Sequence, residues 1–173
     1  GVNIYRTPLN GRNFEYMGED PYLASTIVVP YIKGVQKNGV AACVKHFALN
    51  NQEHWRSSVN VEVSDRALHE IYLPAFKASV EEAKVWSIMG AYNKFRGQHT
   101  THHKLLTNKI LKGDWKFDGV VISDWSSVHS TKEAALYGLD LEMGTGTDGL
   151  GTTTLNHYDQ YFLANPFYKA IKN

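Results

Sequence analysis

Short apolar runs bounded by turn residues alternate along the chain with longer stretches whose apolar positions recur at helical spacing. Three runs end in polar or aromatic residues: 39–46 (Gly39-Val40-Ala41-Ala42-Cys43-Val44-Lys45-His46), 85–93 (Val85-Trp86-Ser87-Ile88-Met89-Gly90-Ala91-Tyr92-Asn93) and 119–125 (Gly119-Val120-Val121-Ile122-Ser123-Asp124-Trp125). Each predicts a buried strand. Between them, 22–37 carries its apolar residues on one stripe after Asp20-Pro21, and 64–82 opens with Ser64-Asp65-Arg66-Ala67 as a second helical stretch. Shorter helices are predicted over 105–111 and 131–137, and a last one over 155–171, broken or bent near Pro166. Strands separated by helix-length text require right-handed crossovers, so the predicted fold class is α/β, a parallel sheet with helices outside it.

About four such units fit into this length, whereas a complete eight-unit barrel takes ~250 residues. The chain is therefore either a small open sheet or a portion of a (β/α)8, TIM-like barrel. An open sheet with a nucleotide crevice is flagged by a Gly-rich turn after its first strand. Neither Gly-x-Gly-x-x-Gly nor a Walker-type Gly-Lys-Ser/Thr stands there, and the one Gly-dense stretch, 144–151, contains no Lys and is expected to be a flexible loop.

Composition narrows the classes. With 43% hydrophobic and 12% aromatic residues the chain holds enough apolar material for a core, which excludes global disorder. Eighteen Lys plus Arg against seventeen Asp plus Glu leave a formal charge of +1, so no positive field draws it to nucleic acid or anionic lipid. No apolar run approaches the ~18 residues of a membrane span. The single Cys43 makes neither an internal disulfide nor a four-thiolate zinc site, and it is expected to be a small buried hydrophobe. The chain opens Gly1-Val2-Asn3 rather than with Met and a charged leader, so a native start is expected to lie outside it, and the compartment is left undetermined.

In parallel α/β folds the working residues lie beyond the carboxyl ends of the strands. Those ends supply Arg12, Lys45 and His46, Met89 to Asn93, Asp124 and Trp125, and 140–143. Cationic donors, a tyrosine and a carboxylate flanked by an aromatic suit a polyhydroxylated substrate: the donors reach hydroxyl oxygens and the aromatic covers the C–H face of a sugar ring. A charge directly after Val120-Val121-Ile122 is costly without partners. Nearby Arg or Lys would keep Asp124 ionised, and an ionised carboxylate at a strand end can attack an anomeric carbon. Its structural alternative is the N-cap of a helix starting near Ser127. Arg12 has a plain alternative in pairing with Glu15 or Glu19, Arg56 in pairing with Glu53, and Tyr92 and Trp125 in packing as core aromatics.

The motifs stand in a recognisable order. Asn13-Phe14-Glu15-Tyr16 is preceded by Gly11-Arg12 and followed by Glu19-Asp20-Pro21-Tyr22. Then come Lys45-His46-Phe47 with Asn51-Gln52-Glu53 and Arg56, Met89-x-Ala91-Tyr92-Asn93, Phe117-Asp118-Gly119 running into Ser123-Asp124-Trp125, and Gly138-Leu139-Asp140-Leu141-Glu142-Met143. Over residues 3–143 the sequence resembles glycoside hydrolase family 3, in its β-glucosidase branch.

The resemblance implies part of a barrel domain from a retaining exo-β-glycosidase that hydrolyses terminal, non-reducing β-D-glucosyl residues. Asp124 would be the nucleophile. Arg12, Lys45, His46 and Arg56 would donate to sugar hydroxyls, Tyr92 would sit beside the nucleophile, Trp125 would pack on the sugar, and Met89 would line the same subsite. In this branch the acid/base glutamate comes from a following α/β-sandwich domain, and a further sugar-binding Asp precedes the segment matching Gly11-Arg12; neither region is in this sequence. Another branch carries an Asp–His acid/base pair after its Lys-His motif, where Ala48-Leu49-Asn50-Asn51-Gln52-Glu53 stands here. Lys116 stands where the family usually has Gly.

The expected substrate is a β-glucoside or short β-linked oligosaccharide, with no cofactor and no metal. The expected partner is the remainder of the same enzyme, or a second copy, covering strand edges and apolar faces. A non-catalytic barrel fragment that binds carbohydrate or only serves assembly is the alternative. His99, His102 and His103 form a weak zinc candidate, and Glu142 is the fallback proton donor within the sequence. His69-Glu70 starts a zinc-peptidase pattern, but Leu73 occupies the second histidine's place and excludes it.

Overall fold

The computed structural model describes residues 1–144 and 160–172, so 145–151 of the expected loop and 155–159 of the expected last helix lie outside the described residues. In sequence order the elements are α1 (Pro21–Gln36), β1 (Cys43–Phe47), β2 (Asn60–Val61), α2 (Asp65–Ala67) continued by a π-helical stretch Leu68–Tyr72, and α3 (Pro74–Glu81). There follow β3 (Ser87–Gly90), β4 (Lys94–Phe95), β5 (Gln98–His99), a second π-helical stretch Lys104–Asp114, β6 (Val120–Ile122), α4 (Thr131–Leu136) and α5 (Asn165–Lys172).

β1, β3 and β6 form the parallel sheet that the three apolar runs predict, in that spatial order. Cys43 pairs with Ser87 and Val44 with Ile88; Ser87 pairs in turn with Val120, Ile88 with Val121 and Met89 with Ile122. The array continues at both edges. Val2 donates to the Lys45 carbonyl at 2.9 Å beyond β1, and Ile122 bridges Leu141 in parallel beyond β6. Beside Val2, the Asn3 carboxamide serves both backbone groups of His46, accepting from its N–H at 2.8 Å and donating to its carbonyl at 2.9 Å.

α1 forms where expected. Asp20 caps the Leu23 N–H at 2.7 Å, Pro21 occupies the first turn, and Ala24, Val28 and Ile32 repeat every four residues as one buried stripe. The gap between α3 and β3 is clamped by Gln36 at the end of α1, whose carboxamide donates to the Lys84 carbonyl and accepts from the Trp86 N–H. The core lies between the helices and the sheet, with Phe47 and Phe76 fully buried edge to face at 5.1 Å.

Three expectations are corrected. The helix over 64–82 is broken into α2, a π-helical turn and α3, because Pro74 lacks an N–H and its ring clashes with a preceding turn; the Leu73 N–H instead reaches back five residues to the Leu68 carbonyl. The last helix begins at Asn165, so Pro166 sits in its first turn rather than at a bend. Cys43 is exposed, because Val44 and His46 alternate onto the buried face of β1 and leave Cys43 on the other. A second, small sheet was not foreseen: β2 runs parallel to β4, and β4 turns back antiparallel to β5 through Arg96 and Gly97, both at positive φ. Strands of two residues are too short to carry a period-two pattern.

Candidate active site

The carboxyl ends of β1, β3 and β6 converge, and Asp124 stands two residues past the last strand, buried. The Tyr92 hydroxyl donates to its Oδ1 at 3.0 Å and the Trp125 N–H to the same oxygen at 2.8 Å. His46 Nε2 lies 3.5 Å from Oδ2. The capping alternative is not what is found: α4 starts at Thr131 under Ser130, and it is the backbone carbonyl of Asp124 that the Ser127 N–H and hydroxyl approach.

Burial, reinforced by the Lys45 charge, pushes the His46 imidazole down to about 3, so it is neutral at ordinary pH. A neutral imidazole facing a carboxylate through Nε2 carries its proton there, and its Nδ1 lies 3.3 Å from the Tyr16 hydroxyl, which donates to the Asn50 carbonyl at 3.1 Å. Burial and the Asp124 charge push the Tyr92 hydroxyl up to about 12, so it stays a donor. Asp124 thus faces neutral donors.

The expectation that Arg and Lys side chains ring Asp124 is corrected. Arg12 reaches Glu15 through Nη2 at 2.5 Å and Glu53 through Nη1 at 2.9 Å, Lys45 reaches Glu15 at 3.0 Å, and Arg56 reaches Glu53 at 3.2 Å. Arg56 also lies 4.5 Å over the Tyr92 ring, which joins this cationic layer to the Tyr92–Asp124 pair. The plain pairings of Arg12 with Glu15 and of Arg56 with Glu53 are therefore present, at the same place as the candidate site. Burial opposes the Glu15 charge, but the Lys45 hydrogen bond and the charges of Lys45 and Arg12 outweigh it and hold its carboxyl below the ordinary range. Burial likewise opposes the Arg12 charge, and its hydrogen bond to Glu53 and the Glu15 charge outweigh that, so the guanidinium lies above its ordinary range.

Met89 is half-buried in β3, in register with Ile122. Trp125 is 46% exposed, so it is no core residue; a Cβ on Gly144 would stand 3.3 Å from its indole. Glu15, Glu53 and Tyr16 belong to the site although sequence reasoning gave them no role in it; the signal was the i,i+3 spacing of Arg12 and Glu15 and of Glu53 and Arg56.

The other candidates serve the fold. Asp140 accepts from Lys112 at 2.6 Å and from the Val121 N–H at 2.8 Å. Glu142 accepts from the Leu163 N–H at 2.7 Å, and burial holds its carboxyl above the ordinary range. His103 Nδ1 caps the Leu105 and Leu106 N–H groups, so Nε2 donates to the Phe95 carbonyl. His102 Nε2 accepts from the His129 N–H, and its Nδ1 faces Glu133 at 3.1 Å. His99 bonds the Tyr92 carbonyl and stacks on His129 at 3.7 Å. Among the described residues no group of three His, Cys, Asp or Glu could hold a metal ion, and no helix is long and apolar enough to cross a membrane.

Residues 2–143 match the N-terminal domain of glycosyl hydrolase family 3. A β-glucosidase of Bacteroides ovatus is 69% identical over 172 residues, which are 99% of this chain and 23% of that protein. An exo-α-(1→6)-L-arabinopyranosidase of Bifidobacterium longum is 48% identical over 143 residues, 83% of this chain and 19% of its own. The structure of β-glucosidase 3B from Thermotoga neapolitana in complex with glucose superposes with a TM-score of 0.87 at 41% identity, covering 99% of this chain and 23% of that one. The chain spans less than a quarter of the length of these relatives. With the motif order, the parallel sheet and this match in agreement, the chain belongs to glycosyl hydrolase family 3.

Proposed function

We propose that this chain is the nucleophile-bearing portion of a retaining, exo-acting β-glucosidase. One observation carries the reading: a buried carboxylate at the carboxyl end of a parallel sheet, with Oδ1 fixed by two donors and Oδ2 facing a neutral histidine. Oδ1 is engaged by Tyr92 and Trp125, so Oδ2 is the attacking oxygen. It forms a bond to C1 as the C1–O bond to the leaving group breaks, and the departing oxygen takes a proton from a second carboxyl group. Retention requires that group ~5–5.5 Å from the first. Glu142 gives one oxygen to the Leu163 backbone, and the proposal places the acid in the remainder of the polypeptide, which the longer relatives carry. Water then reverses the step, and the proton returns to the acid.

Arg12, Lys45, His46 and Arg56 would donate to the hydroxyls of the terminal sugar, while Trp125 and Met89 would border it. A parallel array continuing at Val2 and at Leu141 supports a run of staves from a (β/α)8 barrel, with its site at the carboxyl end. The remaining polypeptide would cover its edges and the exposed Ile27, Tyr31 and Val40. Glucose is the proposed glycone because the Bacteroides ovatus relative is named a β-glucosidase and the superposed structure holds glucose. The Bifidobacterium longum relative is named for a different sugar, an arabinopyranoside.

The test is to treat the full-length enzyme with a 2-deoxy-2-fluoro-β-glucosyl fluoride and map the peptides. A label on the peptide holding Asp124, lost in Asp124→Asn, is the expected result. A wild-type enzyme left unlabelled there would mean that the segment binds sugar or serves assembly without performing the chemistry.

A further inference from the structure

A sugar is neutral, so it cannot balance Arg12, Lys45 and Arg56 gathered at one strand end. Something else must. Glu15 bridges Arg12 and Lys45, one oxygen to each, and its side chain is 14% exposed. Glu53 bridges Arg12 and Arg56 through a single oxygen and is 44% exposed. The order Lys45, Glu15, Arg12, Glu53, Arg56 alternates in sign, and it ends where Arg56 covers the ring of Tyr92, which in turn holds the nucleophile candidate.

We propose that Glu15 is a positioning residue of the sugar subsite, with Glu53 as a weaker second: they order Arg12, Lys45 and Arg56 before the sugar arrives. This role rests on the glycosidase reading above. Lys and Arg are long, rotamer-rich side chains, and an uncompensated cluster of them spreads apart and must be reassembled by each incoming substrate. Glu15 holds two of them from one side and leaves their remaining N–H groups for hydroxyl oxygens. Because that ordering cost is met on binding, its loss weakens ground state and transition state alike, which appears in KM rather than kcat.

The experiment is steady-state hydrolysis of an aryl β-glucoside by the full-length enzyme carrying Glu15→Gln, a substitution that keeps the shape and removes the charge. The expected result is a KM, and a competitive Ki for glucose, raised ~10-fold or more, as for a lost charge-assisted hydrogen bond, with kcat within threefold of wild type. A merely structural role would reduce the folded fraction, lowering apparent kcat at unchanged KM, and that result overturns the proposal. Glu53→Gln, at the more exposed position, provides a second reading should Glu15→Gln not fold: KM is expected to rise by about threefold, in keeping with solvent screening, and an unchanged KM overturns the proposal. The wild-type enzyme is measured first. If it neither turns over the glucoside nor takes up label at Asp124, the glycosidase reading falls and this inference with it; if it does both while Glu15→Gln keeps a normal KM, only the positioning role falls.

Discussion

Tyr92→Phe separates the hydrogen bond on the nucleophile candidate from everything else Tyr92 does. The ring remains, so the Arg56 guanidinium keeps the face it lies over at 4.5 Å. The Asp124 carboxylate keeps the Trp125 N–H at 2.8 Å on Oδ1 and His46 at 3.5 Å from Oδ2. Only the 3.0 Å bond from the hydroxyl is lost. A hydrogen bond to a charged group contributes about 1.5–3 kcal/mol, which corresponds to roughly 10- to 150-fold in rate.

The direction follows from the charge. In the proposed mechanism Asp124 Oδ2 is esterified and neutral while the sugar is attached, and in the second step the carboxylate recovers its charge as C1 is released. Tyr92 donates to the anion, so its loss slows the second step more than the first. Stopped-flow hydrolysis of an activated aryl β-glucoside by the full-length variant should then show a burst of released phenol. Steady-state kcat should fall roughly 10- to 150-fold, and apparent KM should fall with it because the covalent intermediate accumulates. A folded variant with kcat within twofold of wild type and no burst would refute the reasoning.

Two further outcomes are expected. His46 and His99 are held neutral, at about 3 and about 4, by burial, aided by the Lys45 and His129 charges respectively. Below the ordinary histidine value of ~6.5 the unfolded chain binds protons that the native state refuses, so stability falls as pH drops from 6.5 toward 4 for His99 and toward 3 for His46. Guanidinium unfolding at pH 7 and pH 5 checks this, and equal midpoints would contradict it. Lys116 sits at φ +53, a left-handed conformation that a residue with a Cβ adopts at a cost of about 1–2 kcal/mol. Lys116→Gly is expected to raise the thermal midpoint once the extra backbone entropy of glycine, about 0.5–1 kcal/mol, is subtracted; a lowered midpoint speaks against that strain.

What the sequence disclosed, it disclosed through repeating or costly features. The three apolar runs located β1, β3 and β6 because strands packed into a core need apolar residues, although the ends shifted by several residues. Asp124 stood out because a charge after three β-branched residues is expensive. Its neighbour Tyr92 followed from the family resemblance, whereas His46 was invisible as a partner: His46 and Asp124 are joined only by strand order, not by any local pattern. Pro74 was in plain view within 64–82, yet the helical spacing on either side hid the break it makes. Lys45 was placed against the wrong carboxylate, and the Arg12–Glu15 pair stood only as a plain alternative, because charge says who can pair and only topology decides who does.

The Asn3 carboxamide beside His46 imitates one rung of a neighbouring strand, giving and taking a hydrogen bond as a peptide unit would. Few residues can do that. Aspartate at this place has nothing to give, serine reaches too short, and leucine of similar bulk offers neither group. A replacement at position 3 that lacks a carboxamide would disturb first the orientation of an imidazole 43 residues downstream.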